Sequence, residues 1–268
     1  MHNYRCRSLD GTTMNSHSND CYECDHRVVY VPRKAVPKET IESGTLVRKI
    51  PMTRFMFPRY VGDDRGEEYS SKSLEPMYNT IFTKSKIVGE VTISRDNWKE
   101  HPYTFAYHDG SYGLMNEFGV AIGESTCASK LASQPIFDNG KALLEVSELT
   151  RIALEHSTTA REAVRLMGLL AQKYGYYGSE WYDGDMESTM QESGEALIVS
   201  DPLEVWIFHI VPDDTGASAV WIAQRLPDDH ITTITNGFVI RKVPGKPTKD
   251  VIYSDNIFAV ANRTGIWD

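Results

Sequence analysis

Four stretches of the 268-residue chain crowd polar, chemistry-bearing side chains into apolar strand-and-turn sequence. The first runs Asp10-Gly11-Thr12-Thr13 and continues through Ser16-His17-Ser18-Asn19-Asp20. The second spans Tyr112 to Ser125 and carries Asn116, Glu117 and Glu124. The third, Ser193-Gly194-Glu195, opens a strand. The fourth is Gln224-Arg225-Leu226-Pro227-Asp228-Asp229, followed by Thr235-Asn236. An Asn amide at a strand end can donate to a developing oxyanion. An Arg guanidinium can take a substrate carboxylate in its bidentate fork. Each also has an ordinary reading: a turn or backbone cap for Asn116 and Asn236, a surface ion pair for Arg225, and structural polar caps for Glu117 and Glu124. The four cysteines are Cys6, Cys21, Cys24 and Cys127. Cys21 and Cys24 form a lone C-x-x-C near His26. A structural zinc site takes four ligands, and no second C-x-x-C occurs, so no metal or other cofactor is expected. No G-x-S-x-G is present to support a Ser-His-Asp hydrolase.

These residues need strands and turns to hold them. Val28 to Val31 reads as a short strand stopped by Pro32, and Tyr103 to Tyr107 alternates like another. Gly119 to Gly123 reads as a buried strand with close backbone approach at its glycines. Residues 32–100 show scattered Pro and Gly, a solvated acidic run from Asp63 to Glu68, and no apparent core. The middle is helical: Leu149, Ile152 and Ala153 share one face. Thr159 and Glu162 form a capping box that starts a second helix with the stripe Ala163, Leu166, Met167 and Leu170. Ala196 to Val199 and Val205 to Phe208 flank an Asp-Pro turn and read as a hairpin. Ala219 to Ala223 and Ile231 to Thr235 read as a second pair. Strands, two adjacent helices and then hairpins predict an α+β fold of layered antiparallel sheets, with helices 145–156 and 159–173 in an outer layer.

Composition narrows the function classes. Apolar residues make up 41% and charged residues 24%, so the chain is globular. A formal charge of −9 argues against non-specific nucleic-acid binding, which needs basic surface. No apolar run approaches the roughly 18 residues of a membrane span. The first residues lack the apolar stretch of a signal peptide. Neither localisation nor oligomeric state is fixed by the sequence.

Taken in order, the four segments resemble peptidase family C69, the cysteine dipeptidases that include secernin-like proteins. The matching stretches are the Asp10-Gly11-Thr12 turn with its acidic tail, the strand Met115-Asn116-Glu117-Phe118-Gly119-Val120-Ala121-Ile122-Gly123, the hairpin Gly194-Glu195 to Trp206, and Arg225-Leu226-Pro227-Asp228 with Asn236. The resemblance covers roughly residues 10 to 268 and treats 1–268 as a single partial domain. It implies a four-layer αββα N-terminal-nucleophile hydrolase fold and hydrolysis of short peptides without a cofactor. In that chemistry the first residue of the mature chain attacks, and its free α-amine, with a reference pKa near ~8, takes the proton. The resemblance assigns catalytic roles to Asp20, Asn116 and Asn236, expected to converge in one cleft. It gives substrate-binding roles to His17, where many members have Arg, and to Arg225. The family nucleophile is a Cys about a dozen residues before the Asp-Gly, with a β-strand between. Here Cys6 lies four residues before Asp10 without that strand. The domain is therefore expected to be incomplete at both ends, with its nucleophile apparently missing. The unprocessed chain is expected to be inactive. The alternative is a catalytically inactive, secernin-like binding or regulatory protein.

Overall fold

The computed structural model describes residues 12–18, 28–51, 87–178 and 191–266. Its centre is an antiparallel sheet of eight strands. In chain order these are β1 (Val29–Val31), β6 (Tyr107–Asp109), β7 (Gly113–Asn116), β8 (Ala121–Ser129), β9 (Gln191–Ser200), β10 (Val205–Pro212), β11 (Ala219–Arg225) and β12 (Val251–Tyr253), and they lie side by side in that same order. Two short ladders complete the strands: β2 (Lys34–Ala35) with β5 (Tyr103–Thr104), and β3 (Thr45–Pro51) with β4 (Ile87–Ser94). The helices are α1 (Lys38–Ser43), α2 (Val146–His156), α3 (Ala160–Tyr174) and α4 (Ile257–Thr264). The architecture is α+β, as the strand and helix patterns predict.

The β9–β10 hairpin forms where its apolar runs predict it. Asp201 makes the turn: its carboxylate accepts from the backbone of Leu203 and Glu204, while the other oxygen caps Ala160 at the start of α3. One residue thus fixes both a sheet corner and a helix N-terminus. Thr159 caps α3 as expected, accepting from the Glu162 amide at 3.2 Å. In the central register Ile122, Val199 and Trp206 stand in one row, and Glu124, Leu197, Phe208 and Ala223 in another. With a side-chain period of two, these rows face the helices, while Gly123, Ser125, Cys127, Ala196 and His209 face the other way.

Two expectations from the sequence fail here. First, α2 is not in an outer layer: all of its residues are buried. Leu149, Ile152 and Ala153 pack towards the sheet core, and the β3–β4 ladder covers the other side. Ile50, Val91 and Ile93 join the same core, the Thr92 amide donates to the Tyr174 hydroxyl at 2.9 Å, and Arg48 pairs with Glu148 and Glu155 of α2. The stretch 32–100 therefore contributes to the core, contrary to its polar appearance. Second, Ile231 to Thr235 forms no strand. Its β-branched residues have high strand propensity, but propensity without a partner ladder does not make a sheet. The stretch belongs instead to a coil, residues 231–245, parts of which lie against the face of the sheet away from α2 and α3.

Candidate functional site

The face away from α2 and α3 gathers two of the polar segments over one strand, β8. Residues 12–18 cross it as an extended strap without strand pairing. The Thr13 hydroxyl donates to the Asp201 carbonyl at 2.6 Å, and the Asn15 amide donates to the Ile198 carbonyl at 3.1 Å. Gly123 is what permits this approach. A Cβ there would lie 3.3 Å from both the Asn15 side-chain oxygen and the His17 Cβ, tighter than most packed contacts. Among the described residues, β7 pairs with β8 only at Met115–Ala121, so the flank of β8 beyond that point has no strand beside it. At that flank the His17 Nε2 lies 3.7 Å from a Glu124 carboxylate oxygen and the imidazole ring meets Tyr112 edge-on.

Asn236 reaches the same strand from the coil. It sits at a positive φ of 48°, a conformation that Asn tolerates better than most residues. Its backbone amide donates to the Ser125 hydroxyl and its side-chain amide to the Thr126 carbonyl, both at 2.8 Å. Among the described residues, one of its two side-chain protons remains uncommitted. Gly123 and Ser125 are two positions apart on one face, roughly 7 Å along a strand. His17 and Asn236 are therefore brought together. Behind Asn236, the Phe238 ring lies over Gly194, where a Cβ would come within 2.6 Å of it, and packs edge-on against His209. The His209 Nε2 accepts from the Val239 amide at 3.3 Å. Burial, with Arg241 nearby, lowers the His209 pKa to about 4, so the ring is a neutral acceptor at pH 7.

Asn116 lies elsewhere. It caps the β7–β8 turn, roughly 20 Å of strand from the Asn236 contact at Thr126. Its side chain is saturated. The oxygen accepts from the Phe118 and Val120 amides, and the nitrogen donates to the Leu154 and Ser157 carbonyls at 2.9 and 2.8 Å. Both amide protons are thus spent on holding the C-terminal end of α2, and the expected convergence of Asn116 with Asn236 does not occur. Arg225 is also occupied, pairing with Asp228 and lying 3.4 Å from Glu204 and 3.9 Å from Asp250. It stands three strands from β8 in the row of Ile122. Glu117 matches its structural reading: it accepts from the Ala106 amide and from Arg33, whose hydrogen bond holds its pKa below the usual carboxylate range.

Cys127 is buried on the face that carries Ser125, with its thiol 3.3 Å from the Ser125 carbonyl. Burial, reinforced by Glu124, pushes its pKa up to about 12, so it holds almost no thiolate at neutral pH and is no nucleophile. Cys6 and Asp20, and the C-x-x-C pair Cys21 and Cys24, lie outside the described residues. Among the described residues no group of three or more His, Cys, Asp or Glu side chains is arranged to hold a metal. No described helix is long and apolar enough to cross a membrane. Sequence reasoning missed His209 altogether. A lone His in an apolar strand gives no warning, and only its register opposite Ala196 and Ile222 puts it under the coil that carries Asn236.

Two comparisons with known proteins bear on this arrangement. The family model described as Peptidase family C69 matches residues 107–268, more than half of the chain. A probable dipeptidase of Latilactobacillus sakei is 29% identical over 147 residues, a stretch covering 53% of this chain and 26% of that relative. The match thus spans about a quarter of the relative's length.

Proposed function

The chain belongs to peptidase family C69, and from that premise we propose that it is a cysteine-type dipeptidase that hydrolyses short peptides by N-terminal-nucleophile chemistry. The observation that carries this reading is the meeting of the strap and Asn236 over β8. Among the described residues, that meeting leaves one Asn236 amide proton uncommitted beside the chain segment that leads to Asp20. In the proposed mechanism a Cys thiol attacks the peptide carbonyl, its own α-amine accepts the proton, and Asp20 orients that amine. Asn236 then donates to the oxyanion, the step for which a prepositioned donor matters most. Asn116 supports the site at a distance through α2, because its hydrogen bonds are already spent. Cys6 is the candidate nucleophile in this sequence, and it can serve only once its nitrogen is free. His17 and Arg225 are the candidates for binding the substrate, with Arg225 having to leave its carboxylate partners to do so. The same reading carries the four-layer αββα arrangement, with a second sheet against the face away from α2 and α3.

The test is release of free amino acids from a dipeptide panel, with the N-terminal residue read by mass spectrometry. Turnover is expected only from protein whose N-terminal residue is a Cys. Turnover from chain with a peptide-bonded Cys6 contradicts the mechanism. Absence of turnover from protein with an N-terminal Cys favours the alternative of an inactive binding or regulatory relative.

A further inference from the structure

The coil that carries Asn236 crosses the sheet without strand pairing, and side chains of the strands stand in for a ladder. Ser125, Ala196 and His209 form one row across β8, β9 and β10 on the face away from α2 and α3. The two polar members of that row each accept a backbone amide of the coil. Ser125 Oγ takes Asn236 at 2.8 Å, and His209 Nε2 takes Val239 at 3.3 Å. Two strand spacings, roughly 9.5 Å, separate the acceptors, close to the roughly 10 Å reach of three residues of chain. Asn236 has a second attachment, from its side-chain nitrogen to the Thr126 carbonyl at 2.8 Å. Among the described residues, these two are the only hydrogen bonds made by residues 231–238. One bond alone would leave the side chain free to turn about its Cα–Cβ and Cβ–Cγ bonds. Two bonds to neighbouring residues of an interior strand fix both the backbone, at its positive φ of 48°, and the amide plane. They thereby fix where the second amide proton points. We propose that Ser125 is a positioning residue: by accepting the Asn236 backbone amide, it aims the Asn236 side chain at the oxyanion. This rests on the dipeptidase reading above and adds to it the residue that sets its oxyanion donor. A misaimed donor costs rate even when substrate still binds.

The experiment joins amide exchange to kinetics in the full chain. Native-state hydrogen exchange of the Asn236 backbone amide is read by NMR, with the amides of β10 as the check on folding. Ser125→Ala removes the acceptor and is expected to speed Asn236 exchange about tenfold or more while leaving β10 unchanged. Ser125→Thr keeps the hydroxyl and is expected to restore slow exchange. Ser125→Cys, a weaker acceptor of similar size, should fall between, so the test survives if the alanine variant folds poorly. In processed protein that cleaves dipeptides, Ser125→Ala should lower kcat about tenfold, with KM changed less than about twofold, and Ser125→Thr should recover most of the loss. In an Asn236→Gly background the further loss from Ser125→Ala should be less than about twofold, because the side chain it acts through is gone. Unchanged Asn236 exchange in the alanine and cysteine variants overturns the proposal. So does a full tenfold loss on top of Asn236→Gly, or a rise in KM at constant kcat, either of which assigns Ser125 a part independent of Asn236. If the native processed protein cleaves no dipeptide, the dipeptidase reading fails on its own, and the exchange measurement still decides whether Ser125 holds Asn236.

Discussion

The two faces of the central sheet are built on opposite terms. On the helix-covered face two polar groups are buried and richly bonded, although the His156 ring nitrogens and Trp221 Nε1 are buried there without a hydrogen bond among the described residues. Arg151 of α2 is wholly enclosed, bonds Asp109 at 2.9 Å and reaches the Gly110 and Ser111 carbonyls. Asn116 spends every donor and acceptor it has. On the face away from α2 and α3 lie a strap with side-chain ties from Thr13 and Asn15 and an exposed Asn236 with one side-chain proton uncommitted among the described residues. Saturation gives rigidity, because a buried group without its partner costs the full desolvation penalty. An incompletely satisfied, partly exposed group can instead act on a ligand. Under the proposed dipeptidase function, one face supplies stability and the other chemistry.

The sharpest way to break that division is to remove a partner on the helix side. Arg151→Ala removes the enclosed guanidinium that pairs with buried Asp109, and it should destabilise the fold by about 3–5 kcal/mol in urea titration. A loss below about 1 kcal/mol would mean that the enclosed pair carries little of the stability. Asn116→Ala should cost somewhat less, about 2–3 kcal/mol, because it strands backbone groups and not a charge. Its effect on turnover should follow from unfolding alone.

The helix side was also the more legible in sequence. The Thr159–Glu162 box, the α3 stripe and the Asp201 turn are local signals, and each acts within a few residues of where it is read. What escaped was non-local. The stretch 32–100 shows no apparent core in sequence, yet its Arg48 is buried because Glu148 and Glu155 wait for it 100 and 107 positions along the chain. For the same reason α2 reads as half-exposed when its polar side is in fact covered. Of the site, Asn236 was legible as a polar residue at the end of an apolar segment, and His17 only through the family resemblance. The resemblance gave Asn116 the same weight as Asn236, because sequence does not show which amide is already saturated. Glu124 and His209 take their significance only from register.

The third effect is smaller and depends on pH. His209 has its pKa lowered from an ordinary 6.5 to about 4, because burial disfavours the charged ring. The unfolded chain therefore binds a proton before the folded chain does. The contribution is complete above pH 6.5 and is lost as pH falls towards about 4. Protonation also removes the acceptor for the Val239 amide, so the coil that carries Asn236 should loosen first. Urea midpoints of the native chain and of His209→Gln should therefore converge as pH falls through this window. A constant gap between them would show that the ring does not titrate there. His156, buried and lowered well below its ordinary value, acts in the same direction in both proteins and cancels from the comparison.

The smallest effect on stability is expected at Asn236, and there the division is tested most directly. Asn236→Gly keeps the positive φ, which glycine adopts freely, and removes only the side-chain amide. The measurement is kcat on a dipeptide for protein with an exposed N-terminal Cys, alongside its urea midpoint. The account predicts a stability change within about 1 kcal/mol and a fall in kcat of about 10²–10³-fold, the loss seen when one oxyanion donor is removed. Undiminished kcat in a well-folded Asn236→Gly protein would contradict it.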